Sequence, residues 1–220
     1  MKTPRAHRRP KSFDAVLAVD TTEDTLSAAL LSGGRVLRSS VKAGRGHERL
    51  LFTAVDRLLK KAGLKMEDLS ALAASSGPGR FTGIRVGMTF CCVAASRLGV
   101  RAVAVNRLAA LAFGCAAACR EAGAKRLAAV IPGWKDEKFY QLFTAGPRPR
   151  PAGAPVWATA EGWLQALPAI KDSGAFVVEA VPGATEVLAL AVELLGRGRL
   201  PAFEPLYLKP AGYELKKGQA

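Results

Sequence analysis

A meander of three short strands, then a strict alternation of helix and strand, predicts an α/β chain built on a mixed sheet flanked by helices. The second half restarts the first: residues 15–34 set beside 127–146 without a gap put Val19 on Ile131, Asp24 on Asp136, Leu30 on Leu142 and Gly34 on Gly146. Two lobes of like topology, each RNase H-like, are the actin/Hsp70/sugar-kinase (ASKHA) architecture. Identity between the halves is low, and hairpins are common enough to produce such a pattern by chance. The division expected is a basic tail at 1–12, a first lobe at 13–108, and a degenerate second lobe at 109–220 whose C-terminal segment returns to the first.

Each element has a local reason. Residues 15–19 are a buried apolar strand ending in Asp20-Thr21-Thr22, and 25–31 is a second strand. Gly33-Gly34 makes the hairpin turn into a third, 35–41. Gly44 and Gly46 break the chain before His47, after which Leu50, Leu51, Val55, Leu58 and Leu59 recur at helical spacing up to Gly63, a C-cap. A strand at 69–74 leads through a Gly-rich turn into a helix at 83–98, and 102–105 is the next strand. Asn106 caps an Ala-rich helix running to Gly123. Residues 145–155 are too rich in Pro, Gly and Arg for an element and read as a loop. Helices at 160–167 and 184–196 flank a strand at 175–178.

The Gly-rich turn, Ser75-Ser76-Gly77-Pro78-Gly79-Arg80-Phe81-Thr82-Gly83-Ile84-Arg85, is the most structured signal in the chain. Gly77, Gly79 and Gly83 are expected where positive φ and small size are needed, with Thr82 capping the helix. Outward N–H groups at a helix N-terminus favour a phosphate or carboxylate; a tight strand-to-helix connection with no ligand accounts for the same glycines. No Lys-Ser/Thr follows the last glycine, so this is not a Walker A loop. A cation at a helix N-terminus opposes the helix dipole, so Arg80 and Arg85 suit an acidic partner; pairing of Arg85 with Asp20 is the plainer alternative.

Composition excludes several classes. Of 220 residues, 50% are hydrophobic and 23% charged, a globular balance with no apolar run long enough to span a bilayer. The basic start lacks the apolar stretch of a secretory signal, and the cytoplasm is the expected compartment. Cys91, Cys92, Cys115 and Cys119 form no pair of Cys-x-x-Cys knuckles and read as reduced core residues. Net charge is +14; the tail at 1–12 holds five cations and no acid, leaving +9 on the rest and favouring a polyanionic neighbour. His7 and His47 are the two histidines, so a hydrolytic metal site has no ligand pattern, and Ser75-Ser76 has no obvious base. Opposite Asp20 the second half reads Pro132-Gly133-Trp134, without the acid that a phosphoryl clamp needs.

The stretch GPGRFTGIRVGMTF resembles the GPGSFTGLRIG signature of the TsaB (YeaZ) family, with Arg80 where serine is usual. LAVDTTEDTLSAAL, the helix from His47-Glu48-Arg49-Leu50-Leu51, and the ending Glu204-Pro-Leu-Tyr-Leu-Lys209 are similar to that family's other landmarks. Gly133-Trp134-Lys135 stands where the family has Asp-Ala-Arg. The resemblance implies a non-catalytic subunit in the synthesis of threonylcarbamoyladenosine next to the anticodon of ANN-decoding tRNAs. It implies pairing with the catalytic TsaD subunit, an ATPase (TsaE), tRNA reached through the complex, and a homodimer when alone. It implies no tightly bound cofactor, with ATP or ADP, where one is held, at the interface with TsaD. The two helices of the first lobe would make the interface, through His47, Leu51, Phe52, Val55, Val86, Phe90 and Val93. A small nucleotide-dependent kinase or hydrolase of the same architecture is the competing reading.

Overall fold

The computed structural model describes residues 13–44 and 46–210; the basic tail lies outside them. The first sheet has the order β3-β2-β1-β4-β5, built from β1 (Ala15–Asp20), β2 (Thr25–Ser32), β3 (Arg35–Lys42), β4 (Ala71–Gly77) and β5 (Arg101–Asn106). β1–β2 and β2–β3 are antiparallel, whereas β4 runs parallel to both β1 and β5. Because both faces are covered, β1 and β4 are apolar throughout, and side-chain alternation only decides which layer each residue meets. Leu17, Val19, Leu72 and Ala74 pack under α1 (His47–Ala62) and α2 (Phe81–Leu98) with Leu51, Leu58, Ile84, Met88 and Cys91. Val16, Ala18, Ala71, Ala73 and Val103 meet α6 (Ala184–Arg197) through Val187, Leu188, Ala191 and Leu195. Thus α6, from the second half of the chain, completes the first lobe. Its first turn is fastened there by Ala184 N donating to Ser27 Oγ at 2.9 Å.

The second sheet, β10-β6-β7-β8 with β9 also on β7, comprises β6 (Arg126–Pro132), β7 (Lys138–Thr144), β8 (Arg150–Pro151), β9 (Val156–Ala158) and β10 (Ala175–Glu179). Its path repeats that of the first sheet: an antiparallel hairpin, β6–β7, with a parallel strand, β10, beside its first member. One face carries α3 (Arg107–Gly114) and α4 (Ala116–Glu121), the other α5 (Ala160–Asp172). The fold is therefore α/β, with two RNase H-like lobes of mixed sheet. No helix among the described residues is long and apolar enough to cross a membrane.

Several local expectations shift. Both α2 and α5 are longer than the spacing suggests; α5 runs through Pro168 to Asp172, since Pro168 sits where its packing face still has Ile170 to bury. The Ala-rich helix breaks at Cys115 into α3 and α4. The loop at 145–155 contributes the short edge strand β8. The ungapped match between halves is off by one in β6: Leu17 and Val19 face α1, and the residues facing its counterpart α5 are Ala128 and Val130. Around the position opposite Asp20 the chain reads Ile131-Pro132-Gly133, with no carboxylate at any of the three.

Candidate functional site

The loop at 20–24 is where the N-terminal ends of α1, α2 and α3 converge. Asp20 Oδ1 accepts from Thr22 N at 2.8 Å and from Thr22 Oγ1 at 2.6 Å, closing an Asx-type turn. Thr21 Oγ1 donates to Gly83 O at 2.6 Å, and Arg80 N donates to Thr22 O at 2.9 Å. The first turn of α2 therefore lies directly on this loop, and the glycines permit it. A Cβ at Gly83 would stand 2.0 Å from Thr21 O, one at Gly79 2.7 Å from Thr22 Cβ, and one at Gly87 2.6 Å from Thr21 Oγ1. Gly77 and Gly79 combine positive φ, 114° and 157°, with crowding, the Cβ position of Gly77 lying 2.5 Å from Leu206 O. Gly83 is helical, so it is required for close approach rather than for φ. Thr82 is likewise not the cap. Residue 80 is the N-cap of α2, its side chain bonds no helix N–H, and Thr82 is exposed as the second residue of the helix.

A charge that sequence reasoning missed closes the loop from below. Arg107, the first residue of α3, is 0% exposed. Its Nε lies 3.1 Å from Asp20 Oδ2. Nη1 donates to Glu23 Oε1 at 2.7 Å and to Pro78 O at 2.8 Å, and Nη2 donates to Pro182 O at 3.0 Å. Asp20 is thus paired with Arg107 and not with Arg85. Arg85 instead lies on the surface, its guanidinium 3.8 Å from the Phe81 ring centroid and its Nε 3.1 Å from Tyr207 Oη. Phe81 and Tyr207 stack at 4.6 Å, and Leu206 N donates to Ser76 O at 2.7 Å, which lays the C-terminal segment along α2. Arg80 pairs with Asp24 at the surface.

Above the loop, the N-terminal ends of α1 and α2 enclose a cavity of about 350 Å³ lined by Thr21, His47, Glu48, Arg80, Thr82 and Val86. His47 is buried at its floor and donates from Nε2 to Glu23 O at 2.7 Å, which makes it packing and anchorage rather than contact surface. Of the predicted anion-binding set, Thr21, Arg80, Thr82 and Gly83 line this cavity; Asp20 and Gly77 are buried and Gly79 half-buried outside its lining, and Arg85 borders a second groove on α2. The predicted interface set divides as well. Leu51 and Val55 are core at 1% and 3% exposure, because they sit on the stripe of α1 that meets the sheet. Phe52 and Val93 are 64% and 63% exposed; Phe90 and Val86 are half-buried between them and the core. Phe52 and Phe90 meet edge to face at 5.4 Å, so α1 and α2 share one continuous apolar ridge beside the cavity.

The cysteines separate too. Cys91 is buried under β4, donating to Ala73 O at 3.3 Å, and burial followed by its neighbour Cys92 pushes its thiol well above the ordinary range. Cys92 is exposed rather than core. No cluster of three or more His, Cys, Asp or Glu side chains is positioned to hold a metal ion among the described residues.

Comparison with known proteins follows this geometry. A family profile described as TsaD, tRNA N6-adenosine threonylcarbamoyltransferase, matches residues 40–135. The tRNA threonylcarbamoyladenosine biosynthesis protein TsaB of Escherichia coli (strain K12) is 28% identical over 88% of this chain and 94% of its own. The tRNA N6-adenosine threonylcarbamoyltransferase of Chlorobium phaeobacteroides is 34% identical over 44% of this chain and 32% of its own, so the chain spans about a third of that enzyme. The solved structure titled YeaZ from Pseudomonas aeruginosa superposes with a TM-score of 0.69 at 28% identity, covering 89% of this chain and all of that one.

Proposed function

We propose, from the premise that this chain belongs to the TsaB (YeaZ) family, that it serves threonylcarbamoyladenosine biosynthesis on tRNA as a non-catalytic subunit which binds a TsaD-type transferase. The observation that supports this most directly is the ridge of Phe52, Phe90 and Val93 across α1 and α2, an apolar surface on helices whose inward faces are already packed. Exposed aromatic side chains grouped with aliphatic ones are the usual anchors of an interface. A TsaE-type ATPase and tRNA would join through the transferase, and the same ridge would close a homodimer when the chain is alone. The mixed-charge cavity at the edge of this face is the place where a nucleotide shared with the transferase would be enclosed.

The competing reading, a small kinase or hydrolase, would use Asp20 as its acid. Here that carboxylate is engaged by Arg107 and by its own turn, and the second lobe reads Ile131-Pro132-Gly133 opposite it, without an acid. Positioning by two opposed loops is most of phosphoryl-transfer catalysis. Purified chain with ATP and magnesium should turn over far below about 1 s⁻¹. Titration against a TsaD-type subunit should give a defined complex that Phe52→Asp weakens roughly thirtyfold. Rapid turnover by the chain alone, or no complex with wild type, would overturn the proposal.

A further inference from the structure

We infer that Arg107 is a positioning residue for the partner face: it ties the second lobe to the loop at 21–24 and so holds the shape of the cavity between α1 and α2. This rests on the reading that this face receives the transferase. Nothing local favours an arginine at position 107. It opens α3, where a cation opposes the helix dipole, and Asn106 already satisfies that N-terminus by accepting from Leu108 N at 2.8 Å. A fully buried guanidinium is retained only where several fixed acceptors replace its water. Here Asp20 supplies a counter-charge at 3.1 Å, and the acceptors come from three separate segments: Glu23 of the loop, Pro78 of the Gly-rich turn, and Pro182 ahead of α6.

Two of the held segments, the loop and the Gly-rich turn, adjoin walls of the cavity. Glu23, whose carboxylate takes Nη1, presents its carbonyl to His47 at the start of α1. The neighbouring Thr22 carbonyl takes the amide of Arg80, which opens α2, and Asp24 O takes the amide of Ala43 ahead of α1 at 2.8 Å. Pro78, whose carbonyl also takes Nη1, precedes Arg80 by two residues. Loss of the guanidinium would free the loop and the turn together, and the two helix starts would lose their common reference.

The test is the double variant Asp20→Asn/Arg107→Gln, which leaves no unpaired charge at the buried pair. Asn106→Ala is its control: it removes the cap of α3 but keeps Arg107. Amide exchange should quicken at least tenfold at Ala43 and Arg80 in the double variant while the β6–β7 hairpin stays protected. Affinity for the transferase should fall at least tenfold, and the control should change neither. Exchange and affinity within twofold of wild type in a folded double variant would overturn the inference, as would the same losses in the control. If the double variant does not fold, Glu23→Gln takes its place, with quickened exchange at the same two amides expected and unchanged exchange counting against the inference. Should wild type bind no transferase, the proposed function fails, and the exchange result alone still decides the role of Arg107.

Discussion

The two hairpin loops occupy equivalent places in equivalent sheets and have opposite fates. The loop at 20–24 in the first lobe is buried from Asp20 to Thr22, bonded to itself and roofed by a helix that three glycines allow to touch it. The loop at 133–137 in the second lobe projects outward. Trp134 is 71% exposed, and Lys135 and Asp136 take left-handed conformations, φ 51° and 63°, that non-glycine residues adopt at a cost of order 1 kcal/mol or more each. The difference follows from what covers each loop. α2 starts directly behind β4 and falls on the first loop; its counterpart α6 leaves β10 and crosses to the other lobe instead. A loop without a roof keeps its hairpin geometry by local turn conformation alone, and it is free to diverge in sequence.

That contrast can be broken most forcefully at its glycines. Gly83→Ala forces a Cβ against the Thr21 backbone at 2.0 Å, where neither helix nor strand can yield, and should destabilise the fold by about 3 kcal/mol or more. Gly133→Ala meets its nearest neighbour, Glu137 Cβ, at 3.1 Å and should cost about 1 kcal/mol or less, because an unroofed loop can shift. Denaturant unfolding of the two variants compares them directly; equal losses would mean that the second loop is as constrained as the first.

The surface ridge comes next in size. Val93→Asp and Phe52→Asp should leave thermal unfolding nearly intact while weakening transferase binding by about 2 kcal/mol, roughly thirtyfold. Leu51→Asp, one residue away but in the core, should prevent folding. A Phe52 variant that unfolds the chain would move that side chain from the interface to the core.

Smaller effects test capping. Asn106→Ala removes the acceptor for Leu108 N and Ala109 N and should cost about 1 kcal/mol. Thr82→Ala, which removes no cap, should change stability by less than about 0.5 kcal/mol. Arg80→Ala breaks only an exposed pair with Asp24 and should cost about 0.2–1 kcal/mol. A loss above 2 kcal/mol would show that this pair holds the turn.

The thiols give the smallest perturbation. Cys92 should react with an aromatic disulfide at neutral pH, whereas Cys91, its thiolate disfavoured by burial, should react only on unfolding. Raising the pH to 9 should leave Cys91 untouched in the folded chain. Labelling of both at one rate would mean that α2 opens readily from β4.

What the chain determined by itself is whatever depends on neighbours within a few residues. The three-strand meander, the cap at Asn106, the left-handed stop at Gly63 and the restart near residue 127 are all of this kind. Asp20 bonding its own turn was equally legible, since the partner is two residues away. Tertiary structure decided the rest because the partners are distant. Arg107 meets Glu23 across 84 residues and Pro182 across 75, Arg85 meets Tyr207 across 122, and the glycine at 83 answers to a carbonyl 62 residues before it. Periodicity could say that α1 and α2 carry more apolar residues than one face needs. Only the sheet beneath them could divide that surplus, placing Leu51 and Val55 inside and leaving Phe52 and Val93 at the surface.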